Sequence, residues 1–282
     1  MSQGHRAHLR THGQGKIGHV ITITAGAHTD RGRVRSENQD FLGRFPEESL
    51  DASLPKGQLF VVADGMGGHK GGREASELAV RTLAAHYSTA PTRDILESLK
   101  SAFEAANTTV YQKSTTGPEF AGMGTTCTAL VLQDGQAVIG HIGDSRVYRI
   151  NRSAVVQLTN DHSRVADLVR RAVITKEQAR IHPERSQLYR ALGTRPVVDV
   201  DYISGIRLPR DCYFLLCTDG LFNHVTEDEM QSIVLSKPPA EACTALVDLA
   251  NERGGTDNIT VQVIHSVSGE GKINKLLRKR RR

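Results

Sequence analysis

The stretch from Thr125 to Thr159, TTCTALVLQDGQAVIGHIGDSRVYRINRSAVVQLT, breaks into four short apolar runs. They are TTCTALVL, QAVIGHIG, SRVYRI and AVVQLT, divided by turn signals at Asp134-Gly135 and Asn151. Short β-rich segments joined by tight turns predict an antiparallel meander. Upstream, ITITAG, FLGRF and QLFVVA also read as strands, while GREASELAVRTLAAHY and RDILESLKSAFEAANTTVYQKS space their apolar residues as helices do. Downstream, the polar segment DHSRVADLVRRAVITKEQARI is read as helical, and VDVDYISGI, CYFLLCT and NITVQVI as strands. Thr226 and Glu229 form a capping box, and Pro238 precedes a further helix. Strands and helices arrive in groups rather than in strict alternation, so the expected class is α+β, antiparallel sheets layered under helices.

A chain of 282 residues with 38% hydrophobic composition can bury a sizeable core. It holds no apolar run of membrane-spanning length, and MSQGHRAHLRTHGQG lacks the apolar centre of a secretory signal, so the expected location is cytoplasmic. Cys127, Cys212, Cys217 and Cys243 have no ligand-like spacing and are expected in the core. The net charge of +5 comes from the terminal KINKLLRKRRR, with its seven lysines and arginines, so no specific nucleic-acid partner is expected. The division expected is a disordered extension over residues 1–20, one domain over 21–267, and a basic tail over 268–282 able to touch an anionic membrane weakly.

The chemistry gathers on aspartates. Asp64 follows LFVVA, Asp144 follows VIGHIG, Asp219 follows YFLLCT, and Asp257 stands just before a strand in GGTDNITVQV. Any one of them alone is more often a turn residue. Four carboxylates at strand ends, converging on one mouth, repel unless cations neutralise them, and an all-oxygen set suits Mg2+ or Mn2+. Gly65 and Gly67 would let a backbone carbonyl approach such an ion. Arg35, in RGRVRSENQD, has the fork geometry for a phosphate, and Asp40 closes the same segment. The glycine-rich VVADGMGGHKGG is no P-loop, because Lys70 is followed by Gly71. No cysteine has an arginine six positions on, and DVDYI at Asp199 lacks the surroundings of an aspartyl nucleophile.

Eight motifs in order, RGRVRSENQD, VVADGMGGHKGGREAS, GMGTTCTALVL, GHIGDSRVYRI, LTNDHS, YRALGT, LLCTDGLFNHV and GGTDNITVQVI, resemble those of the PP2C-like metal-dependent serine/threonine protein phosphatases (the PPM family) in their bacterial form. The resemblance covers about residues 24–265. It implies a β-sandwich of two antiparallel sheets flanked by α-helices, in αββα layers, with a binuclear Mn2+ or Mg2+ centre at one end. It further implies that Asp64 bridges the two ions, that the Gly65 carbonyl completes one, and that Asp219 and Asp257 bind the other. Asp144 with Asp219 would hold a third, weaker ion, Arg35 the substrate phosphate, and Asp40 the water ligands. The implied reaction is hydrolysis of phosphoserine and phosphothreonine in proteins by a metal-activated water, with Arg35 and Asp64 as catalytic residues and no phosphoenzyme. The protein would act as a monomer on phosphoproteins that include a bacterial serine/threonine kinase it opposes. Met66 stands where some eukaryotic relatives place a histidine as general acid, which leaves metal-bound water as the implied proton donor. HPERSQLYR falls, by resemblance, in a helical flap beside the site. The alternatives within the fold are a phosphatase devoted to an anti-anti-sigma regulator and a pseudophosphatase without a metal centre, the latter disfavoured by Asp64, Asp219 and Asp257.

Overall fold

The computed structural model describes residues 19–67 and 71–270. Asp134 and Gly135 both take positive φ, 45° and 81°, which matches the twist of a two-residue hairpin turn. They join β5 (Cys127–Gln133) to β6 (Gln136–Ile142) in continuous antiparallel register. Outward from this hairpin the sheet adds β3 (Gln58–Met66) and β2 (Asp40–Phe45) on one side and β9 (Asp201–Arg207) on the other, with the two-residue β4 (Gly124–Thr125) on the end of β3. A second antiparallel sheet runs β1 (His19–Asp30), β11 (Ile259–Glu270), β10 (Asp211–Cys217), β7 (Arg146–Ile150), β8 (Val155–Gln157). The turn from β7 to β8 uses the Asn151 side chain, whose oxygen accepts from the Ser153 and Ala154 amides.

The continuous apolar run of β3 follows from burial on both faces. Leu59, Val61 and Ala63 point to α1 (Gly71–Thr89) and α2 (Ile95–Ser114); Phe60 and Val62 point to the other sheet, against Phe214, Leu216 and Ile264. Removing each such large side chain from water contributes roughly 1.5–3 kcal/mol. The second sheet is covered outside by α5 (Asp219–Phe222), α6 (Glu227–Ser236) and α7 (Pro239–Glu252). The order of layers is therefore helices, sheet, sheet, helices, as the motif series implies. The Thr226–Glu229 capping box is formed, and all four cysteines are buried.

Two boundaries differ from the sequence reading. Strands β1 and β11 pair from His19↔Glu270 to Asp30↔Ile259, so the sheet extends past both limits of 21–267. Between β8 and β9 the chain makes two short helices, α3 (Arg164–Arg170) and α4 (Lys176–Arg180), but HPERSQLYR after them is not helical. It turns through amides donated to nearby carbonyls, Arg185 to His182 and Gln187 to Glu184, and Leu188 bridges to Ser163. Pro183 and that bridge hold the segment out of the helix that the resemblance implies. The N-terminal extension, the basic tail beyond Glu270, and His69 and Lys70 lie outside the described residues.

Candidate metal and phosphate site

One end of the sandwich collects the chain where strands of both sheets finish or begin. Strand β3 ends on Asp64, Gly65 and Met66, with Asp64 opposite Asp40 and Gly65 opposite Thr125. From β10 the chain passes through Thr218 to Asp219, from β6 through Gly143 to Asp144, and it enters β11 through Asp257 and Asn258. Two glycines permit this convergence. A Cβ on Gly65 would sit 1.9 Å from the Gly72 carbonyl oxygen, and Gly143 holds φ +109° with Thr126 pressed against it. Gly65 is thus needed first for the approach of α1.

Arg35, Asp64, Gly65, Asp144, Asp219 and Asp257 line one cavity of about 460 Å3, floored also by Thr126. Asp40 lies buried just behind. The Asp64 backbone and the Asp40, Asp219 and Asp257 carboxylates are held from outside. The Asp64 amide donates to Thr126 Oγ1 at 2.8 Å, and its carbonyl accepts from Thr125 Oγ1 and the Thr126 amide, each at 2.9 Å. Thr218 Oγ1 donates to Asp40 Oδ2 at 2.9 Å, and Asn223 Nδ2 to Asp219 Oδ2 at 3.2 Å. Asp257 Oδ1 accepts from the Asn258 amide, and its Oδ2 takes Arg35 Nη2 at 2.7 Å.

The electrostatics are those of anions crowded out of water. Burial, then repulsion from Asp40, Asp219, Asp144 and Asp257, holds Asp64 well above the usual carboxylate range. Burial and then Asp219 do the same to Asp144. Burial with Asp257 pushes Asp219 up to about 6, against the pull of Arg35, and burial lifts Asp40 to about 7. Asp40 Oδ1 and Asp219 Oδ1 are buried with no hydrogen-bond partner among the described residues. Among the described residues Arg35 is the one cationic side chain on the cavity wall. Also among the described residues, no three Asp, Glu, His or Cys side chains close on a single point as a ready cage. The acids instead face one another across a roomy cavity. That spacing suits hard divalent ions that keep several waters, and the orphaned oxygens and mutual repulsion ask for added positive charge, so the residues present fit the expected metal.

The family model described as protein phosphatase 2C matches residues 33–245. The chain belongs to the protein phosphatase 2C family. The serine/threonine phosphatase Stp of Listeria innocua is 39% identical over 241 residues, covering 84% of this chain and 93% of the relative. The crystal structure of the Mycobacterium tuberculosis serine/threonine phosphatase PstP/Ppp superposes with a TM-score of 0.76 at 34% identity, covering 86% of this chain and 97% of that one. A structure of the catalytic domain of PstP in complex with two manganese ions gives 0.75 at 31% identity, covering 88% and 100%. These neighbours share the two-sheet α+β fold.

Several residues that hold the phosphatase site escape a reading of strand ends and charges. Asn258 accepts the Gln39 amide on Oδ1 at 2.8 Å and donates Nδ2 to the Arg31 and Glu37 carbonyls, each at 2.9 Å, so one side chain clamps the loop that carries Arg35. Its signal was the asparagine beside Asp257, easily taken for turn chemistry. The LTNDHS motif supplies two supports. Asp161 binds Arg146 through both carboxylate oxygens, and His162 Nδ1 accepts the Gly143 amide at 3.1 Å while its own amide donates to the Gly143 carbonyl. The proton of His162 therefore sits on Nε2, 3.2 Å from Asp201 Oδ2. His162 in this way fixes the turn that presents Asp144.

His141 packs on His162, ring centroids 4.9 Å apart, and burial, followed by repulsion from His162 when that ring is also protonated, lowers it to about 4. An unfolded histidine titrates near 6.5. Between these values the unfolded chain binds the extra proton, so this contribution is fully present above pH 6.5 and lost as pH falls towards 4. The expected loss is roughly 3 kcal/mol. It is measured as the gap in denaturant stability between the wild type and His141→Gln, which should narrow steadily from pH 7 to pH 4; a constant gap would contradict it.

Proposed function

We propose that this serine/threonine protein phosphatase hydrolyses phosphoserine and phosphothreonine in proteins at the cavity ringed by Asp64, Asp144, Asp219 and Asp257. The observation that carries the reading is the meeting of those four carboxylates with the Arg35 guanidinium on one wall-to-wall site. Two Mn2+ or Mg2+ ions would be held by Asp64, the Gly65 carbonyl, Asp219 and Asp257, with Asp144 and Asp219 offering a third, weaker position. Bound there, such ions acidify water towards neutral pKa and offset charge on the phosphoryl oxygens.

The chain's own groups do the rest. Arg35 is half-exposed, lies on the cavity wall in the clamped loop, and among the described residues gives only one guanidinium N–H, to Asp257; it would receive the phosphoryl oxygens on the others. Asp40, held by Thr218 and with Oδ1 lacking a partner among the described residues, would orient water. Thr126 and Ser145, hydroxyls 2.7 Å apart, keep Asp64 and the Asp144 turn in fixed relation. Met66 lines the cavity and offers no proton, so the leaving alkoxide takes its proton from water. We further propose a cytoplasmic monomer that opposes a serine/threonine kinase. With Mn2+ present, the protein should release inorganic phosphate from p-nitrophenyl phosphate and from a phosphothreonine peptide. Tight phosphopeptide binding without phosphate release would favour the pseudophosphatase alternative instead.

A further inference from the structure

Beside the carboxylate cavity lies a second one, of about 310 Å3, which shares Asp144 and Asp219 with it and opens beneath α3 and α4. Its wall is largely polar but presents a group of apolar side chains, Val165, Val169 and Ala179, with Phe222 under the Arg146 guanidinium. Its rim carries Lys176, Arg180 and Arg185. Most other basic side chains of this segment are already engaged. Arg164 pairs with Glu184 at 2.8 Å, Arg171 with Asp167 at 2.9 Å, and Arg190 with Asp201 at 2.8 Å. Arg146 and Arg170, also on the cavity wall, are tied to Asp161, the first through its carboxylate and the second through its carbonyl. Lys176, Arg180 and Arg185 are exposed, and none is ion-paired among the described residues. Four carboxylates line the same cavity: Asp161, held by Arg146, Asp144 and Asp219 where it meets the metal site, and Glu227 at the start of α6.

Three exposed cations with no ion-pair partner among the described residues, on a wall that also presents apolar side chains, suit an anion that brings an apolar body with it. A small free anion would leave the apolar side chains Val165, Val169 and Ala179 unused. The cavity adjoins the candidate phosphate site along Asp144 and Asp219, so a polypeptide whose phosphorylated residue enters that site can lay its flanking residues here. We infer that this second cavity binds the polypeptide flanking the phosphorylated residue, and that preferred substrates carry acidic side chains next to an apolar one on that side. The inference rests on the phosphatase reading above and adds the substrate class to it.

The test compares phosphothreonine peptides with a leucine followed by acidic, neutral or basic residues, placed on either side of the phosphothreonine, with p-nitrophenyl phosphate as a substrate too small to reach the second cavity. Acidic peptides of one polarity should show kcat/KM about tenfold above their neutral counterparts at low salt, an advantage that shrinks as salt rises. The triple variant Lys176→Glu, Arg180→Glu, Arg185→Glu should abolish or invert that preference, and the corresponding triple alanine variant should remove it, with p-nitrophenyl phosphate turnover unchanged in both. Equal kcat/KM for the three wild-type peptides, or a preference that survives both triple variants, overturns the inference while p-nitrophenyl phosphate turnover leaves the phosphatase reading standing. Absence of any Mn2+-dependent turnover overturns both.

Discussion

Alanine at Asp219 or Asp257 is expected to lower kcat/KM for p-nitrophenyl phosphate by about three orders of magnitude, because each removes a carboxylate that would hold the ions. The fold should survive, and without divalent metal the Asp219→Ala chain should melt no lower than the wild type. Asp219 is buried, lifted to about 6 by burial and by Asp257, and one of its oxygens has no partner among the described residues. Deleting it relieves repulsion in the metal-free protein. The difference appears when Mn2+ is added. A ligand at a hundred times its Kd stabilises the native state by about 2.7 kcal/mol, a shift the wild type should show and Asp219→Ala should largely lose. Thermal melts with and without Mn2+, alongside steady-state kinetics, separate loss of metal from loss of fold. Wild-type turnover in either variant would remove that aspartate from the ligand set.

Arg35→Ala should act on phosphate rather than on metal. Charge-assisted hydrogen bonds to the phosphoryl group are worth about 1.5–3 kcal/mol, so KM for the substrate and the inhibition constant for inorganic phosphate should each rise about 10- to 100-fold. Arg35 donates to Asp257 at 2.7 Å, and its removal frees that carboxylate. Mn2+ affinity, measured by calorimetry, should therefore hold or increase. Arg35→Lys should restore little, since an ammonium cannot offer two parallel N–H groups. A fall in Mn2+ affinity with unchanged phosphate inhibition would reverse the assigned role.

Much of the architecture is legible because its cause is local. Asp134-Gly135 can hardly be anything but a hairpin turn, and the apolar runs on either side then have to pair. The candidate site is legible in part for a similar reason: Asp64, Asp144, Asp219 and Asp257 each stand where a strand ends or begins, so antiparallel pairing brings them to one end. What stays hidden depends on contacts far apart in sequence. Asn258 reaches 219 residues back to Gln39, and nothing near it announces that bond. His162 looks like a loop histidine until the Gly143 amide is found on its Nδ1. Gly65 invites a reading as an open carbonyl, yet the absent side chain is demanded first by the Gly72 backbone. The segment around HPERSQLYR departs from the helical flap that the resemblance implies, because the Ser163–Leu188 bridge and Pro183 decide its shape.

The central claim is that crowded carboxylates at one end of the sandwich work as a divalent-metal phosphatase centre. Its most direct measurement is the rate of p-nitrophenyl phosphate hydrolysis by the full chain in excess EDTA and again after back-titration with Mn2+. The account predicts no detectable turnover in EDTA and recovery of the full rate as Mn2+ exceeds the chelator; undiminished turnover in EDTA would contradict it.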